Sequence, residues 1–143
     1  MKLHSLSDPC PCGRHSAKGR PVVYGQCCGQ WLETDLPAPT AESLMRSRYS
    51  AFCLERAPYV LRTWHATTRP ASIAFEPGVK WLGLEVRSHT VQDATHAQVE
   101  FVARQKSATG PAVRLHERSR FVREEGDWYY LAGEAVDATP PLV

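Results

Sequence analysis

The feature that most constrains this chain is a group of four cysteines near its N-terminus. They fall within nineteen positions, as Cys10-Pro11-Cys12 and Cys27-Cys28, with fourteen residues between the two halves. Four thiolates form the ligand set that tetrahedral Zn²⁺ prefers in structural sites. The surrounding segment is short, polar and rich in Gly and Pro, so it cannot bury a sufficient core of its own. A bound zinc ion would contribute about 10–16 kcal/mol of apparent binding free energy to its folding.

Disulfide bonds are the main alternative for these cysteines. The first seven residues contain no apolar segment typical of a signal peptide, so we expect a cytoplasmic protein, where structural disulfides are rare. A bridge within either half would also be strained. A redox-active pair ranks lower because the Cys-x-x-Cys spacing is missing, and His15 would be a surplus ligand. The pattern therefore favours a metal site.

Length and composition predict one domain with a small appendage. The chain has 143 residues, 43% of them hydrophobic, and a formal net charge of +2, which is too mild to indicate nucleic-acid binding by itself. No apolar run approaches the roughly 20 residues that span a bilayer, so we expect no membrane association. The stiff segment Leu36-Pro37-Ala38-Pro39 indicates a linker. We therefore expect a zinc-binding module over residues 1–34 and a larger domain over residues 35–143.

The larger domain has the pattern of helices followed by strands. Thr40 is a suitable N-cap for a helix that reaches about Arg56, and Pro58 is well placed in the first turn of a second helix. Alternating apolar residues then predict four strands, over residues 81–88, 95–104, 113–123 and 128–132. The first is expected to place Leu82, Leu84 and Val86 on one face. The second is expected to place Ala97, Val99, Phe101 and Ala103 on one face, and the third Val113, Leu115, Glu117, Ser119 and Phe121. Together these elements predict an α+β fold, with helices on one face of a curved antiparallel sheet.

Two charged residues interrupt apolar faces. Arg48 lies on the apolar stripe of the first long helix, and Glu117 lies on the apolar face of the third strand. A buried charge without a partner is costly, so we expect the two to pair, bidentate if the geometry permits. Alternatively, Arg48 extends along the edge of the stripe to solvent. If the pair forms, a purely structural role is favoured over a functional one.

Two sets of residues resemble known families. Cys10-Pro11-Cys12-Gly13, followed by Tyr24-Gly25-Gln26-Cys27-Cys28-Gly29, resembles the SEC-C motif, a small zinc module found at the tail of the bacterial preprotein translocase ATPase. The connection between the halves is longer here than in the usual motif. The resemblance implies that zinc is bound by four thiolates, which are those of Cys10, Cys12, Cys27 and Cys28.

Most of the chain, from about Asp8 to Gly133, resembles the YchJ family of small bacterial proteins. Its similarity is carried by four segments: 44–52, 63–70, 116–121 and 126–130. The resemblance implies a SEC-C zinc module followed by a nuclear-transport-factor-2-like (NTF2-like) domain, a cone-shaped α+β fold with a pocket between sheet and helices. Some members carry a second SEC-C motif at the C-terminus, whereas residues 139–143 contain no cysteine. We therefore expect no function that needs two zinc modules.

Two classes of function fit these features. In the first, the chain is an adaptor whose zinc module binds a protein or a ribosome-associated partner, with nucleic acid involved only through the ribosome. The residues expected to be exposed there are Arg14, Lys18, Arg20 and Tyr24. In the second, the cone fold binds a small molecule or acts as an isomerase or dehydratase. The candidate pocket residues are Arg48, Tyr49, Trp64, His65 and Glu117.

The expected charge pairing favours the adaptor. Catalysis in the pocket would need Glu117 as a general base, and an adjacent Arg48 would lower the pKa of that carboxyl and weaken it as a base. Catalysis at the metal is not expected either, because four thiolates leave no open position for water or substrate. The sequence therefore predicts a structural zinc site and favours a binding role over an enzymatic one, with the enzyme kept as the alternative.

Overall fold

A computed structural model describes residues 2–136, so the cysteine-free residues 139–143 lie outside the described part of the chain. The N-terminal region contains a short 3₁₀ turn, Tyr24–Gln26. The helices are α1 (Gly29–Leu32), α2 (Ala41–Cys53) and α3 (Ala57–Arg62), and the strands are β1 (Lys80–Asp93), β2 (His96–Lys106), β3 (Ala112–Glu124) and β4 (Asp127–Ala135). The strands form one antiparallel sheet in the order β1-β2-β3-β4. The predicted α+β class is confirmed.

The long helix α2 lies across the sheet and contacts β1, β2 and β4. It begins at the predicted N-cap, where the Thr40 side chain accepts a hydrogen bond from the Ser43 amide at 3.0 Å. It ends at Cys53, earlier than the predicted Arg56, because Glu55 adopts a left-handed φ of 56° that an α-helix cannot continue through. Helix α3 follows with Pro58 in its first turn, as predicted. None of the helices within residues 2–136 is long and apolar enough to cross a membrane.

The inner faces of β2 and β3 largely follow the predicted alternation. Seven residues on these faces are buried as expected: Ala97, Val99, Phe101, Ala103, Leu115, Ser119 and Phe121. Val113 is the exception, because it lies near the exposed end of β3 and is 46% exposed. The two inner faces thus form the floor on which α2 packs.

The predicted face of β1 is wrong at Leu82. In the pairing with β2, Trp81 faces Gln105 and Gly83 faces Arg104, so Leu82 is the extra residue of a β-bulge. The bulge shifts the alternation by one position. Trp81 and Leu84 therefore pack against the core, whereas Leu82 is 52% exposed.

The fourteen residues between the cysteine halves form a hairpin. Pro9 pairs with Val23 and His15 pairs with Pro21, both in antiparallel fashion. The tip, residues 16–20, is exposed to solvent. The cysteines at its base belong to the same buried cluster as α2. The division of the chain at residue 34 stays a prediction.

Candidate metal centre

The four predicted ligands converge at the base of the N-terminal hairpin. The Sγ atoms of Cys10, Cys12, Cys27 and Cys28 all lie within 4.8 Å of one another, and all four residues are buried. The sulfurs of Cys12 and Cys27 are 3.6 Å apart, and all four are free thiols rather than disulfides. Tetrahedral zinc with Zn–S bonds of about 2.3 Å places its sulfurs about 3.8 Å apart. The donor set and its spacing therefore fit a single metal ion.

Local backbone geometry brings the two cysteine halves together. The amide of Cys10 donates to the Val22 carbonyl at 2.9 Å, which closes the hairpin beside the first half. Cys27 and Cys28 lie between the 3₁₀ turn and α1. Gly29 follows them, and a Cβ built there would lie 2.7 Å from the carbonyl oxygen of Tyr24. Only glycine fits this close approach without a shift of the backbone.

The four thiols of the cysteine group influence one another's ionisation. Hydrogen bonds from Cys12 and then from Cys27 and Cys28 hold the pKa of Cys10 far below its usual range. The contact with Cys10 in turn raises the pKa of Cys28 well above its usual value. The other thiols thus stabilise one thiolate, and a divalent cation bound here would supply the charge that allows all four to ionise.

Two side chains of α2, those of Arg46 and Ser50, contact the cysteine group. Nη1 of Arg46 lies 3.9 Å from the sulfur of Cys12 and 3.4 Å from the Cys12 carbonyl oxygen. Nε of Arg46 donates to Glu42 at 2.9 Å. The hydroxyl of Ser50 lies 3.7 Å from the sulfur of Cys10. The sequence pattern did not single out Arg46 or Ser50, although their spacing of four places them on one helix face.

Tyr24 was predicted to be exposed, and this is wrong. It is fully buried, and its hydroxyl donates to Oε2 of Glu33 at 2.8 Å. Its ring belongs to the same buried cluster as the four cysteines, while its hydroxyl reaches a carboxylate. Lys18 and Arg20 are exposed as predicted, and Arg14 is half-buried because it contacts Glu42 at 3.3 Å.

Arg48, one of the two charged residues that interrupt apolar faces, is buried rather than extended to solvent. Its Nη1 donates to the Val60 carbonyl and to Oγ1 of Thr63, both at 2.8 Å. The guanidinium lies over two aromatic rings, 5.0 Å from the centre of Trp64 and 4.5 Å from that of Tyr130. Burial lowers the pKa of Arg48 to about 10, so the side chain is charged at neutral pH.

The predicted bidentate pair between Arg48 and Glu117 does not form. Nη1 of Arg48 is occupied at the end of α3, and its Nη2 has no hydrogen-bond partner within residues 2–136. The carboxylate of Glu117 lies against β4 instead, since a Cβ on Gly133 would be 2.8 Å from its Oε1. Both side chains line one cavity, but Arg48 is held by acceptors at the end of α3 and Glu117 lies against β4.

That cavity is small. Its lining consists of Met45, Arg48, Tyr49, Phe52, Phe101, Glu117, Ser119, Phe121 and Tyr130. A volume of about 20 Å³ is open to the centre of a water molecule, which is room for about one water. Of the candidate pocket residues, Arg48, Tyr49 and Glu117 line it, and Trp64 stacks behind Arg48. His65 is not among the lining residues, and its Nε2 lies 2.9 Å from Oε2 of Glu124.

Comparison with known proteins agrees with this architecture. A family model described as "YchJ, middle NTF2-like domain" matches residues 40–133. A UPF0225 protein of Polaromonas sp. is 67% identical over 87% of this chain and 91% of its own length. A UPF0225 protein of Bordetella bronchiseptica is 53% identical over 94% of this chain and 98% of its own length.

Two solved structures are similar over most of the chain. The solution structure of a SEC-C motif containing protein from Rhodopseudomonas palustris has 33% identity and a TM-score of 0.75 and covers 91% of this chain and 100% of that chain. The crystal structure of a SEC-C motif containing protein from Psychrobacter arcticus has 31% identity and a TM-score of 0.71, covering 94% of this chain and 87% of that chain. With a buried four-cysteine group beside an NTF2-like sheet and helices, the chain belongs to the YchJ (UPF0225) family of bacterial proteins.

Proposed function

We propose that this protein is a cytoplasmic adaptor in which a structural Zn²⁺ ion holds a partner-binding module against the NTF2-like domain. The ligands are the thiolates of Cys10, Cys12, Cys27 and Cys28. The observation that carries the proposal is the convergence of four buried sulfur atoms within 4.8 Å. Soft thiolate ligands favour zinc over magnesium or calcium, and a complete set of four leaves no open position for catalysis.

The hairpin above the metal centre supplies a surface for the partner. Its tip carries Lys18 and Arg20, both exposed, and neither forms an ion pair within residues 2–136. A projecting positive element attracts an acidic partner and accelerates its association. We infer a protein partner with an acidic surface, free or held on a ribosome.

The cavity counts against the enzyme hypothesis. Pockets that bind small molecules are usually several hundred Å³ in size, whereas this one has room for about one water. The same cavity is lined mainly by apolar side chains, which leaves little room to place a substrate beside Glu117. The NTF2-like domain therefore acts as a scaffold in this proposal.

The experiment compares partner capture by matched variants of the full chain. We expect one zinc per wild-type chain by elemental analysis. The double variant Cys10→Ser/Cys12→Ser should lose both the metal and the partners that wild type retains. The charge-reversed variant Lys18→Glu/Arg20→Glu should keep the zinc and lose the partners. An identical set of partners for all three chains would overturn the adaptor proposal, and a wild-type chain free of zinc would overturn the metal assignment.

A further inference from the structure

Two polar side chains on one face of α2 contact sulfur atoms of the cysteine group. Arg46 approaches Cys12, with Nη1 3.9 Å from its sulfur, and Ser50 approaches Cys10 at 3.7 Å. Residues four apart on a helix lie on the same face. Both contacted cysteines belong to the first half of the motif. Helix α2 of the NTF2-like domain therefore places two hydrogen-bond donors against the sulfur group.

We propose that Arg46 and Ser50 are positioning residues of the metal centre, which donate hydrogen bonds to the metal-bound thiolates of Cys12 and Cys10. The inference deepens the proposed function and rests on its zinc assignment. It makes α2 a part of the metal site rather than a neutral support. Groups that hydrogen-bond to metal ligands fix ligand orientation and tune metal affinity.

Charge is the first argument for Arg46. A zinc ion with four thiolates carries a net charge of −2, and taking that charge out of water is costly unless a cation lies close by. The side chain of Arg46 is only 15% exposed and places its guanidinium beside Cys12. Arg14 also lies near the cysteine group, but it contacts Glu42 rather than a sulfur atom.

Orientation is the second argument for Arg46. Glu42 accepts a hydrogen bond from Nε of Arg46 at 2.9 Å, and this contact directs Nη1 of the same fork towards the carbonyl and sulfur of Cys12. A lysine at this position has a single nitrogen and cannot make both contacts in this geometry. The guanidinium fork is therefore what links Glu42 to the metal ligand.

The hydroxyl of Ser50 is available to donate to Cys10. It is fully buried, and its hydroxyl has no hydrogen-bond partner other than Cys10 among residues 2–136. A metal-bound thiolate has no proton, so in the metal-bound state the hydroxyl must be the donor. Ser47, one turn of α2 earlier, is also fully buried, but its hydroxyl contacts Tyr59 and the Leu44 carbonyl instead. Ser47 is thus a matched control of the same type, burial and helix.

The test measures metal release and the spectrum of the cobalt-substituted full chain. Arg46→Met should release zinc to a chromogenic chelator about 10-fold faster than wild type, with Arg46→Lys in between. Ser50→Ala should release it faster by a smaller factor and shift the sulfur-to-cobalt charge-transfer band. Arg14→Met and Ser47→Ala should match wild type in both measurements. The charge-transfer band reports the sulfur directly, so a merely structural role for Ser50 would not move it.

The outcomes separate this inference from the proposed function. If wild type binds zinc and Arg46→Met and Ser50→Ala show wild-type release rates and spectra, the inference is overturned while the zinc site stands. If wild type holds no zinc, both the inference and the zinc assignment of the proposed function are overturned. If Arg46→Met fails to fold, Ser50→Ala decides alone, because it removes one oxygen atom from the same sulfur environment.

Discussion

Arg56 and Glu33 form an ion pair, with Nη2 of Arg56 2.9 Å from Oε2 of Glu33, that joins the N-terminal region to the start of α3. The same carboxylate accepts the hydroxyl of Tyr24 at 2.8 Å, and Nε of Arg56 donates to the Lys2 carbonyl at 3.0 Å. One carboxylate thus links Tyr24, which is buried in the same cluster as the cysteines, to the helical part of the fold. The hydrogen bond from Arg56 lowers the pKa of Glu33 below its usual value.

The first prediction concerns the pH dependence of this contact. Because the pKa of Glu33 is lower in the folded than in the unfolded chain, its stabilising effect is present above the unfolded pKa of about 4.3 and is lost as the pH falls through the folded pKa. Glu33→Gln should therefore lower the free energy of unfolding by about 1 kcal/mol at neutral pH and match wild type in acid. Urea unfolding across the pH range measures this. Asp35→Asn, at an exposed residue 3.9 Å from Arg62, is the control and should leave the free energy of unfolding close to that of wild type.

The second prediction concerns the buried guanidinium of Arg48. Arg48→Lys keeps the charge but loses the fork that contacts Val60 and Thr63 and the planar group that stacks on two rings. We expect a loss of about 2–3 kcal/mol in the free energy of unfolding. Arg62→Lys is the matched control, since Arg62 also lies over a ring, that of Tyr59, but is half exposed. Equal effects of the two substitutions in chemical unfolding would contradict the role given to burial.

The third prediction concerns Gly29. Gly29→Ala removes no ligand, but its Cβ would meet the Tyr24 carbonyl at 2.7 Å and push Cys28 out of place. We expect a loss of about 1–3 kcal/mol of stability together with weaker zinc retention in chelator competition. Gly19→Ala at the hairpin tip is the control: its φ of 77° strains any other residue by about 1 kcal/mol, yet it should leave metal retention unchanged.

The fourth prediction concerns the turn between β3 and β4. Glu124 pairs with Asp127, so Glu125 and Gly126 form a two-residue loop, with φ angles of 51° and 86°. Both positive angles indicate a type I′ turn, for which Asn-Gly is strongly preferred. Glu125→Asn should raise stability by about 0.5–1 kcal/mol, visible as a higher thermal midpoint in calorimetry. Gly126→Ala should lower that midpoint, and a rise in both variants would argue against this turn type.

Local rules predicted much of the fold. Thr40 caps α2 as expected, and the alternation in β2 correctly identified its buried face, because capping and period-two burial depend on nearby residues. Leu82 was misplaced because a bulge depends on how β1 pairs with β2, which local alternation does not reveal. The cysteine group was found because four soft ligands at this spacing serve few other purposes.

The candidate site was predicted only in part, since its contacts are tertiary. The pattern identified Arg48 and Glu117 as charges facing the core, yet it could not show that the end of α3 offers Arg48 better acceptors. Tyr24 was predicted as exposed because its burial depends on Glu33, nine residues away, for its hydroxyl. Nothing in the sequence pattern singled out Arg46, because an arginine four residues after a glutamate is ordinary on the solvated face of a helix.

The hairpin between the two cysteine halves has a practical consequence. Its ends are pinned by the pairing of Pro9 with Val23, while residues 16–20 project into solvent. A foreign peptide spliced beside Lys18 would leave the sulfur atoms where they are, because closing a longer loop costs little extra entropy. An epitope or a fluorophore placed at the tip would thus leave the metal centre undisturbed while altering the surface proposed for the partner.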